Sequence, residues 1–313
     1  MAVSQEENPL RGIVLKLASV TCFMCMQTAI KLAGPGIATG QITFYRSAFA
    51  IFPIVVYLMF RGQLATALKT SRPFGHFFRG LVGVVSMSLG FYGLLNLPLH
   101  DAVALGYAMP LFAVLFAAVF LGETVRLYRL TAVVAGFVGV LVISWSKFSV
   151  LKGDLTESAQ ALGVLAIILS AALGATAMIL VRKLVATEKS ATIVLYFSIT
   201  ASVLSAASLP FGWADLSSGS LVSLGIAGIC GGVAQILLTE SYRHADISTI
   251  APFEYVSILY SLIISYMLFA EVPEPLMLLG TAIVVAAGIF IIYRERKLGL
   301  ERASMRKHVT PQG

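Results

Sequence analysis

The sequence predicts an all-α polytopic membrane protein, and two observations support that class. Ten apolar stretches, each close to the roughly 20 residues that a helix needs to cross a bilayer, fill most of the 313-residue chain. Hydrophobic residues make up 58% of the chain and charged residues only 12%, whereas soluble domains are typically about 25% charged. We therefore expect membrane lipids, rather than water, to surround most of this protein.

The ten predicted spans follow one another with short polar connections. They are 12–33, 39–60, 77–96, 102–121, 128–146, 161–183, 190–210, 219–238, 248–269 and 275–293. The first apolar stretch is too long for a secretory signal peptide, and no small-residue cleavage site follows it. We interpret it as a retained first helix.

The Lys and Arg residues predict the orientation of the spans. With ten spans, 18 of the 22 basic residues fall on the side that holds the N-terminus, three fall on the other side, and Arg46 lies inside a span. Basic residues favour the cytoplasmic side of a membrane. We expect both termini in the cytoplasm, with a basic tail over 294–313. The net charge of +7 then reflects topology, and we expect no nucleic-acid partner.

The chain also contains an internal repeat. Leu121-Gly122-Glu123 ends the fourth span and Phe269-Ala270-Glu271 ends the ninth, and each of these spans precedes a glycine-containing helix. Tyr107 and Tyr255 each lie 16 residues before their glutamate. We divide the chain in the polar segment 146–160, into a first repeat over 10–145 and a second over 162–293.

Five spans in each half have a topological consequence. An odd number forces the second half to enter the membrane from the opposite side, so the halves are inverted relative to each other. Inverted repeats are typical of secondary transporters, which bind their substrate near the membrane midplane between the repeats. We therefore expect a carrier of a small organic metabolite.

Ionisable residues within spans are costly and usually face a cavity or a partner. Glu254 is the only acid within the ten predicted spans. It is either a first-turn acid that favours the helix N-terminus or a protonatable carboxylate facing substrate, which makes the proton a candidate coupling ion. Arg46 either extends to the headgroups or pairs with a carbonyl or an anionic group.

Other uncharged polar side chains are candidates for the pocket. Gln27 and Gln235 lie deep in their spans, where the alternative role is hydrogen bonding between helices. Tyr92, Tyr107 and Tyr255 are aromatic residues that suit a planar organic ligand, and packing is their alternative role.

Prolines and glutamates are the candidates for gating or structural roles. Pro110 should kink the fourth span and free a carbonyl, with or without acting as a gate. Pro252 stands two residues before Glu254. Because Glu123 and Glu271 are related by the repeat, we expect each to cap or orient the helix that follows it.

Enzyme motifs are absent from the sequence. It contains no phosphate-binding loop, no nucleophile elbow and no metal-ligand spacing, so we expect neither catalysis nor a cofactor or metal. Two rival functions are a lipid flippase or membrane-embedded enzyme, and a scaffold that transports nothing. The oligomeric state is left open.

Together these residues resemble the EamA family of the drug/metabolite transporter superfamily. The features are ten spans in inverted halves, Arg46 in the second span, Pro110-Leu111-Phe112 in the fourth, and Leu121-Gly122-Glu123 before a glycine-rich fifth. The resemblance covers nearly the whole chain and implies that spans 1, 3, 4, 6, 8 and 9 line a central cavity. In the second half, Ile258 stands where the family has a proline matching Pro110.

Three further stretches resemble the branch of this family assigned to S-adenosylmethionine uptake. They are Thr70-Ser71-Arg72-Pro73-Phe74 leading to Arg79-Gly80, Ala251-Pro252-Phe253 with Tyr255, and Phe290-Ile291-Ile292-Tyr293. Other bacterial members are assigned riboflavin uptake or amino-acid export. The resemblance implies an S-adenosylmethionine-like substrate that is carried across a bacterial inner membrane, with riboflavin and amino acids as alternative substrates.

Overall fold

The computed structural model describes residues 9–121, 127–148, 155–185, 187–245 and 247–308. Within these ranges all regular secondary structure is helical. Three 3₁₀ helices cover Leu64–Thr66, Leu209–Phe211 and Ala251–Tyr255. The α-helices are α1 (Pro9–Leu32), α2 (Thr39–Phe60), α3 (Pro73–Asn96), α4 (Leu99–Gly106), α5 (Ala108–Leu121), α6 (Leu127–Phe148), α7 (Leu155–Val185), α8 (Ser190–Ala206), α9 (Ser218–His244), α10 (Ile247–Ile250), α11 (Val256–Phe269) and α12 (Pro275–His308).

Ten helical segments of the described chain are long and apolar enough to span a membrane, which confirms the predicted class. Three helices extend at least six residues further than predicted. Helix α7 begins at Leu155, α9 ends at His244, and α12 continues through the predicted tail to His308. The added residues of α12 include Lys, Leu, Glu, Arg, Ala and Met, which are strong helix formers and need no membrane to be helical.

The halves pack against each other in an inverted and nearly symmetric pattern. The first helix of each half packs along the third helix of the other half, as α1 does with α9 and α3 with α7. The second helices pair with each other, and so do the fifth helices, α6 and α12. This exchange of equivalent contacts is what two inverted five-helix repeats produce.

Glycines bring α6 and α12 into close contact. A Cβ atom on Gly139 would lie 2.8 Å from the Gly280 carbonyl oxygen, and one on Gly280 would lie 2.6 Å from the Gly139 oxygen. Only a missing side chain at both positions lets the two backbones approach this closely. Lipid provides no hydrophobic force between helices, so such close contact is a main source of their association.

The fourth and ninth spans are both interrupted, at equivalent tyrosines. Helix α4 ends at Gly106 and α5 begins at Ala108, so Tyr107 separates them. Pro110 has no N–H to offer the Gly106 carbonyl four residues earlier, which explains the interruption. In the ninth span the 3₁₀ helix Ala251–Tyr255 precedes α11, with Pro252 in its first turn. The second half therefore changes helix type at Tyr255 although it lacks a proline at Ile258.

Two faces of the bundle are used as reference below. The proximal face carries the start of α1 and the end of α2, and the distal face carries the end of α1 and the start of α2. Many large apolar side chains on the outside of the bundle are exposed, as Phe52, Val119 and Met267 illustrate. Such a surface suits lipid.

Candidate functional site

A pair of tyrosines joins the two halves where their spans are interrupted. The rings of Tyr107 and Tyr255 stack with centroids 4.8 Å apart and planes 27° from parallel. Tyr107 Oη donates to the Glu254 carbonyl oxygen at 2.6 Å and lies 2.6 Å from Ser257 Oγ. The hydroxyl end of Tyr255 packs against Gly288, where no side chain would fit. The repeat-related tyrosines therefore form one contact between the halves.

A cavity of about 250 Å³ lies beside this pair. That volume is just below the roughly 300–1,000 Å³ typical of ligand pockets. Its walls come from α1, α3, α4, α5 and α7, and they are mostly apolar with three methionine thioethers. The lining residues are Met26, Gln27, Ser86, Met87, Gly90, Phe91, Leu94, Ala102, Gly106, Met109, Ile167, Ser170 and Ala171.

Three polar side chains occur among these walls. Ser86 Oγ donates to the Ser170 carbonyl oxygen at 2.8 Å, and Ser170 Oγ donates to the Ser86 carbonyl oxygen at 2.7 Å. These reciprocal bonds join α3 to α7. Among the described residues, the Gln27 amide has no hydrogen-bond partner and is available to a ligand in the cavity. The cavity can therefore surround an apolar or planar group and offer it few polar contacts.

Glu254 faces open space next to a buried cation. Its Oε2 lies 3.1 Å from Lys16 Nζ, and its side chain is 55% exposed while that of Lys16 is 3% exposed. The pair connects α1 to the start of the ninth span. A buried lysine needs a negative partner, so Glu254 stabilises the charge of Lys16.

Ion pairs between the halves join them at the distal face, close to the cavity. Lys31 Nζ lies 2.6 Å from Glu271 Oε1 and donates to the Leu97 carbonyl oxygen at 2.7 Å. Lys147 Nζ lies 2.8 Å from Glu274 Oε1 and 3.4 Å from Asp101 Oδ2. We refer to Lys31, Glu271, Asp101, Lys147 and Glu274 as the distal seal.

The electrostatics around Lys147 favour its charged form. Burial alone would lower the pKa of Lys147, but the hydrogen bond to Glu274 and the charge of Asp101 outweigh burial and raise that pKa above its ordinary value. Asp101 itself is almost fully buried beside Ala102, which lines the cavity. The distal seal therefore lies next to a residue of the cavity wall.

Within the described residues, the Glu271 carboxylate bonds to Lys31 and to the Leu99 N–H, not to the helix that follows it. Ala270 adopts a left-handed conformation with φ of 52°, and the Glu271 N–H donates to the Ser265 carbonyl oxygen at 3.0 Å. This turn directs the side chain back across the bundle. There Glu271 Oε2 accepts from the Leu99 N–H of α4 at 3.0 Å, in the other half of the chain.

A second tie between the halves lies at the proximal face. Glu188 Oε1 accepts from Thr70 Oγ1 at 2.7 Å, and from the Ser71 N–H and hydroxyl at 2.9 and 3.1 Å. The bond from Thr70, followed by those from Ser71, holds the pKa of Glu188 below its ordinary value. Thr70 and Ser71, which belong to a sequence stretch discussed above, therefore act in holding two loops together.

Arg46 is buried against α1 and α9 and does not extend to the membrane surface. Its side chain is only 6% exposed, and Nε lies 3.5 Å from Met26 Sδ. Arg79 on α3 lies over the Phe197 ring at 3.6 Å from its centroid. From the sequence, Arg79 entered only the count of basic residues and the stretch that resembles the S-adenosylmethionine-uptake branch.

Some of the other predicted site residues lie at the cavity, and others do not. Gln27 lines the cavity, and Tyr107 adjoins the lining residue Gly106. Tyr92 and Gln235 are partly buried and do not line it. Glu123 lies outside the described residues.

Sequence reasoning missed the cations that pair with the predicted acids. Lys16 and Lys31 were assigned only to opposite sides of the membrane, by the distribution of positive charge. The signal that could have found them is their position within an apolar span, because a lysine one or two turns inside a helix end needs a partner.

Comparisons with known proteins agree with this arrangement. The model of the EamA-like transporter family matches residues 10–145 and 161–294. An S-adenosylmethionine uptake transporter of Rickettsia felis is 29% identical over 299 residues, covering 96% of both chains. The pseudopaline exporter CntI of Pseudomonas aeruginosa is 29% identical, covering 89% of this chain and 94% of its own.

A riboflavin transporter of Rhizobium johnstonii is 27% identical, covering 92% of this chain and 90% of its own. One crystal structure superposes with a TM-score of 0.64 at 17% sequence identity, covering 92% of this chain and 98% of the other. The likeness to that structure concerns the fold alone. Family and relatives point to a multi-pass membrane transporter of small metabolites rather than to an enzyme.

Proposed function

Because the chain belongs to the EamA-like transporter family, we propose that it carries an S-adenosylmethionine-like metabolite across a bacterial inner membrane by alternating access. One observation supports the mechanism above all others. A cavity lies between inverted halves, and ion pairs between those halves close it at one face. Relatives named for S-adenosylmethionine uptake, at 28–29% identity over most of the chain, support the choice of substrate.

We assign the distal face to the periplasm and both termini to the cytoplasm. The assignment rests on the 18 of 22 basic residues on the proximal side. In this orientation the carrier is closed to the periplasm by the distal seal. Glu254, more than half exposed, then faces the cytoplasmic approach.

Alternating access requires the distal seal to open while the proximal side closes. Lys31–Glu271 and Lys147–Glu274 each join one half to the other, so a relative rotation of the halves breaks both pairs. The interrupted spans at Tyr107 and Tyr255 provide the places where backbone bending costs least, since their helical hydrogen bonds are already incomplete. We assign Pro110 and Pro252 to this bending.

We assign proton coupling to Glu254. Protonation would remove the charge that Lys16 needs, and the buried lysine would then favour a conformation that gives it another partner. Glu254→Gln should retain substrate exchange but lose the pH dependence of net uptake. Glu240→Gln is the matched control, because Glu240 pairs with Arg61 near the proximal face. Unchanged pH dependence in Glu254→Gln would refute this role.

Counterflow in proteoliposomes tests the proposed function. Vesicles are preloaded with unlabelled S-adenosylmethionine, riboflavin or mixed amino acids, and entry of the matching labelled compound is compared with entry into protein-free vesicles. We expect accumulation with S-adenosylmethionine. Accumulation only with riboflavin or amino acids would reject the substrate, and none with any compound, in folded and inserted protein, would reject carriage of these classes.

A further inference from the structure

Two arginine side chains lie in the interior of the bundle without an acidic partner among the described residues. Arg46 comes from α2 and Arg79 from α3, which packs against α2. An uncompensated cation in a low-dielectric interior costs several kcal/mol. The described part of the bundle therefore holds two positive charges without a negative charge to compensate them.

The surroundings of Arg46 show an incomplete site. Its one hydrogen-bond acceptor in the described chain is Met26 Sδ, at 3.5 Å, and a thioether is a weak acceptor. A Cβ atom on Gly231 would lie 3.0 Å from both Nε and Nη2 of the guanidinium. Gly231 thus provides space for the charged group, while Met26 occupies the position of a stronger acceptor.

Arg79 has a similar environment. Its Nε and Nη1 atoms are buried and have no hydrogen-bond partner within the described ranges. Phe197 supports one face of the guanidinium, and a Cβ atom on Gly83 would lie 2.9 Å from Nη1. The aromatic ring fixes the plane of the guanidinium and leaves the donors along its edge unused.

Met26 connects Arg46 to the cavity, because it lines the cavity wall and also contacts Arg46. We infer that Arg46 and Arg79 bind the carboxylate of the transported metabolite, which replaces Met26 Sδ as the acceptor of Arg46. This inference rests on the proposed function and adds a defined site to it. Met26 has the flexible, unbranched side chain that such a displacement requires.

The chemistry of the site selects a class of substrate. A carboxylate is planar and accepts two parallel N–H bonds from a guanidinium, and one carboxylate shared by two arginines also relieves their repulsion. The metabolite should therefore be an amino-acid derivative whose remaining part enters the apolar, methionine-lined cavity. Riboflavin has no carboxylate and should not use this site.

Competition against wild-type protein tests the inference without any substitution. Labelled S-adenosylmethionine counterflow is inhibited with unlabelled S-adenosylmethionine or with its decarboxylated form, which keeps the nucleoside, sulfonium and amine. Loss of charge-assisted bonds to two arginines should make the decarboxylated form about 10–100-fold weaker. Inhibition within about threefold of S-adenosylmethionine would overturn the inference.

Variants that remove the charge of an arginine show which residues cause the discrimination between S-adenosylmethionine and its decarboxylated form. Arg46→Gln and Arg79→Gln should each bring the two competitors to within about threefold of each other, since neither variant has the full carboxylate site. Arg61→Gln is the matched control, because that arginine pairs with Glu240 and should preserve the discrimination. Discrimination that persists in both interior variants would overturn the assignment.

A stability cycle tests the site independently of which metabolite is carried. Met26→Glu places a carboxylate near Arg46 on a side chain of similar length, and Met26→Gln is its neutral counterpart. We expect the melting temperature of Met26→Glu to be several degrees higher than that of Met26→Gln. In an Arg46→Gln background, we expect the melting temperature of Met26→Glu to be the lower of the two. Equal differences in both backgrounds would overturn the inference. Absence of counterflow would instead reject the proposed function and leave this cycle to decide the site.

Discussion

Glu271→Gln should release the distal seal and shift the carrier toward a conformation open at the distal face. Glutamine keeps the shape of Glu271 and can still accept from Leu99, so the change mainly removes the ion pair with Lys31. Breaking a buried pair costs about 3–5 kcal/mol and an exposed pair below about 1 kcal/mol. The two side chains are 12% and 23% exposed, which places the cost near 2 kcal/mol.

A cost of about 2 kcal/mol corresponds to a shift of about 30-fold between the two conformations. Ala102 reports this shift because it lines the cavity directly beneath the seal. We would place Ala102→Cys in a chain whose free cysteines Cys22, Cys25 and Cys230 are replaced by alanine, and label cells with a membrane-impermeant maleimide. Labelling should be about 30-fold faster with Glu271→Gln than without it.

The control is Glu240→Gln, which removes an acid paired with Arg61 near the proximal face and should leave labelling unchanged. An increase below about threefold with Glu271→Gln, at normal protein abundance, would refute the reasoning. It would mean that the Lys31–Glu271 pair does not hold the distal face closed.

Three further predictions concern stability and transport. Gly139→Leu should lower the free energy of unfolding by about 1–3 kcal/mol because it separates two touching backbones. Gly106→Ala should have little effect because nothing lies within 4 Å of its Cβ position. Thermal unfolding in detergent measures both variants. Tyr107→Phe loses the hydrogen bond to the ninth span, so it should slow counterflow several-fold and lower the free energy of unfolding by about 1 kcal/mol. Tyr255→Phe keeps the stacked rings and should have a smaller effect on both quantities. The pKa of Glu188 is lower in the folded than in the unfolded protein. Its contribution to the free energy of unfolding is therefore fully present above the unfolded pKa of about 4.3, and it is lost as the pH falls through the folded pKa. The difference in melting temperature between wild type and Glu188→Gln should therefore shrink below about pH 4, and a constant difference down to pH 3 would contradict that account.

The fold was predictable because membrane helices leave a local signal. Each span is a continuous apolar stretch, and the predicted second span, 39–60, coincides with α2. The repeat was also readable, since Tyr107 and Tyr255 occupy equivalent positions before their glutamates. Their stacking follows once the halves are inverted around a common axis. The extension of α12 was missed because a hydropathy criterion ends a span where charge begins, whereas helix propensity continues.

The site was less predictable because it depends on contacts between distant residues. Lys31 and Glu271 are 240 positions apart, and nothing local to either one indicates the other. That Tyr92 and Gln235 do not line the cavity described above has a related reason. Helices that are apolar all round do not show which side faces the bundle interior and which faces lipid, so a polar residue's depth was known but its direction was not.

The length of α12 has a consequence outside the membrane. Its 34 residues extend about 51 Å, whereas the hydrocarbon core is about 30 Å thick. Roughly 20 Å therefore projects as a continuous rod beyond the apolar segment that ends at Arg294. A tilt of the tenth span by about 10° around the midplane would sweep the end of this rod through roughly 6 Å. The rod thus acts as a lever that amplifies small rotations of the carrier, and a fluorescent group placed near its end would report each cycle without disturbing the substrate path.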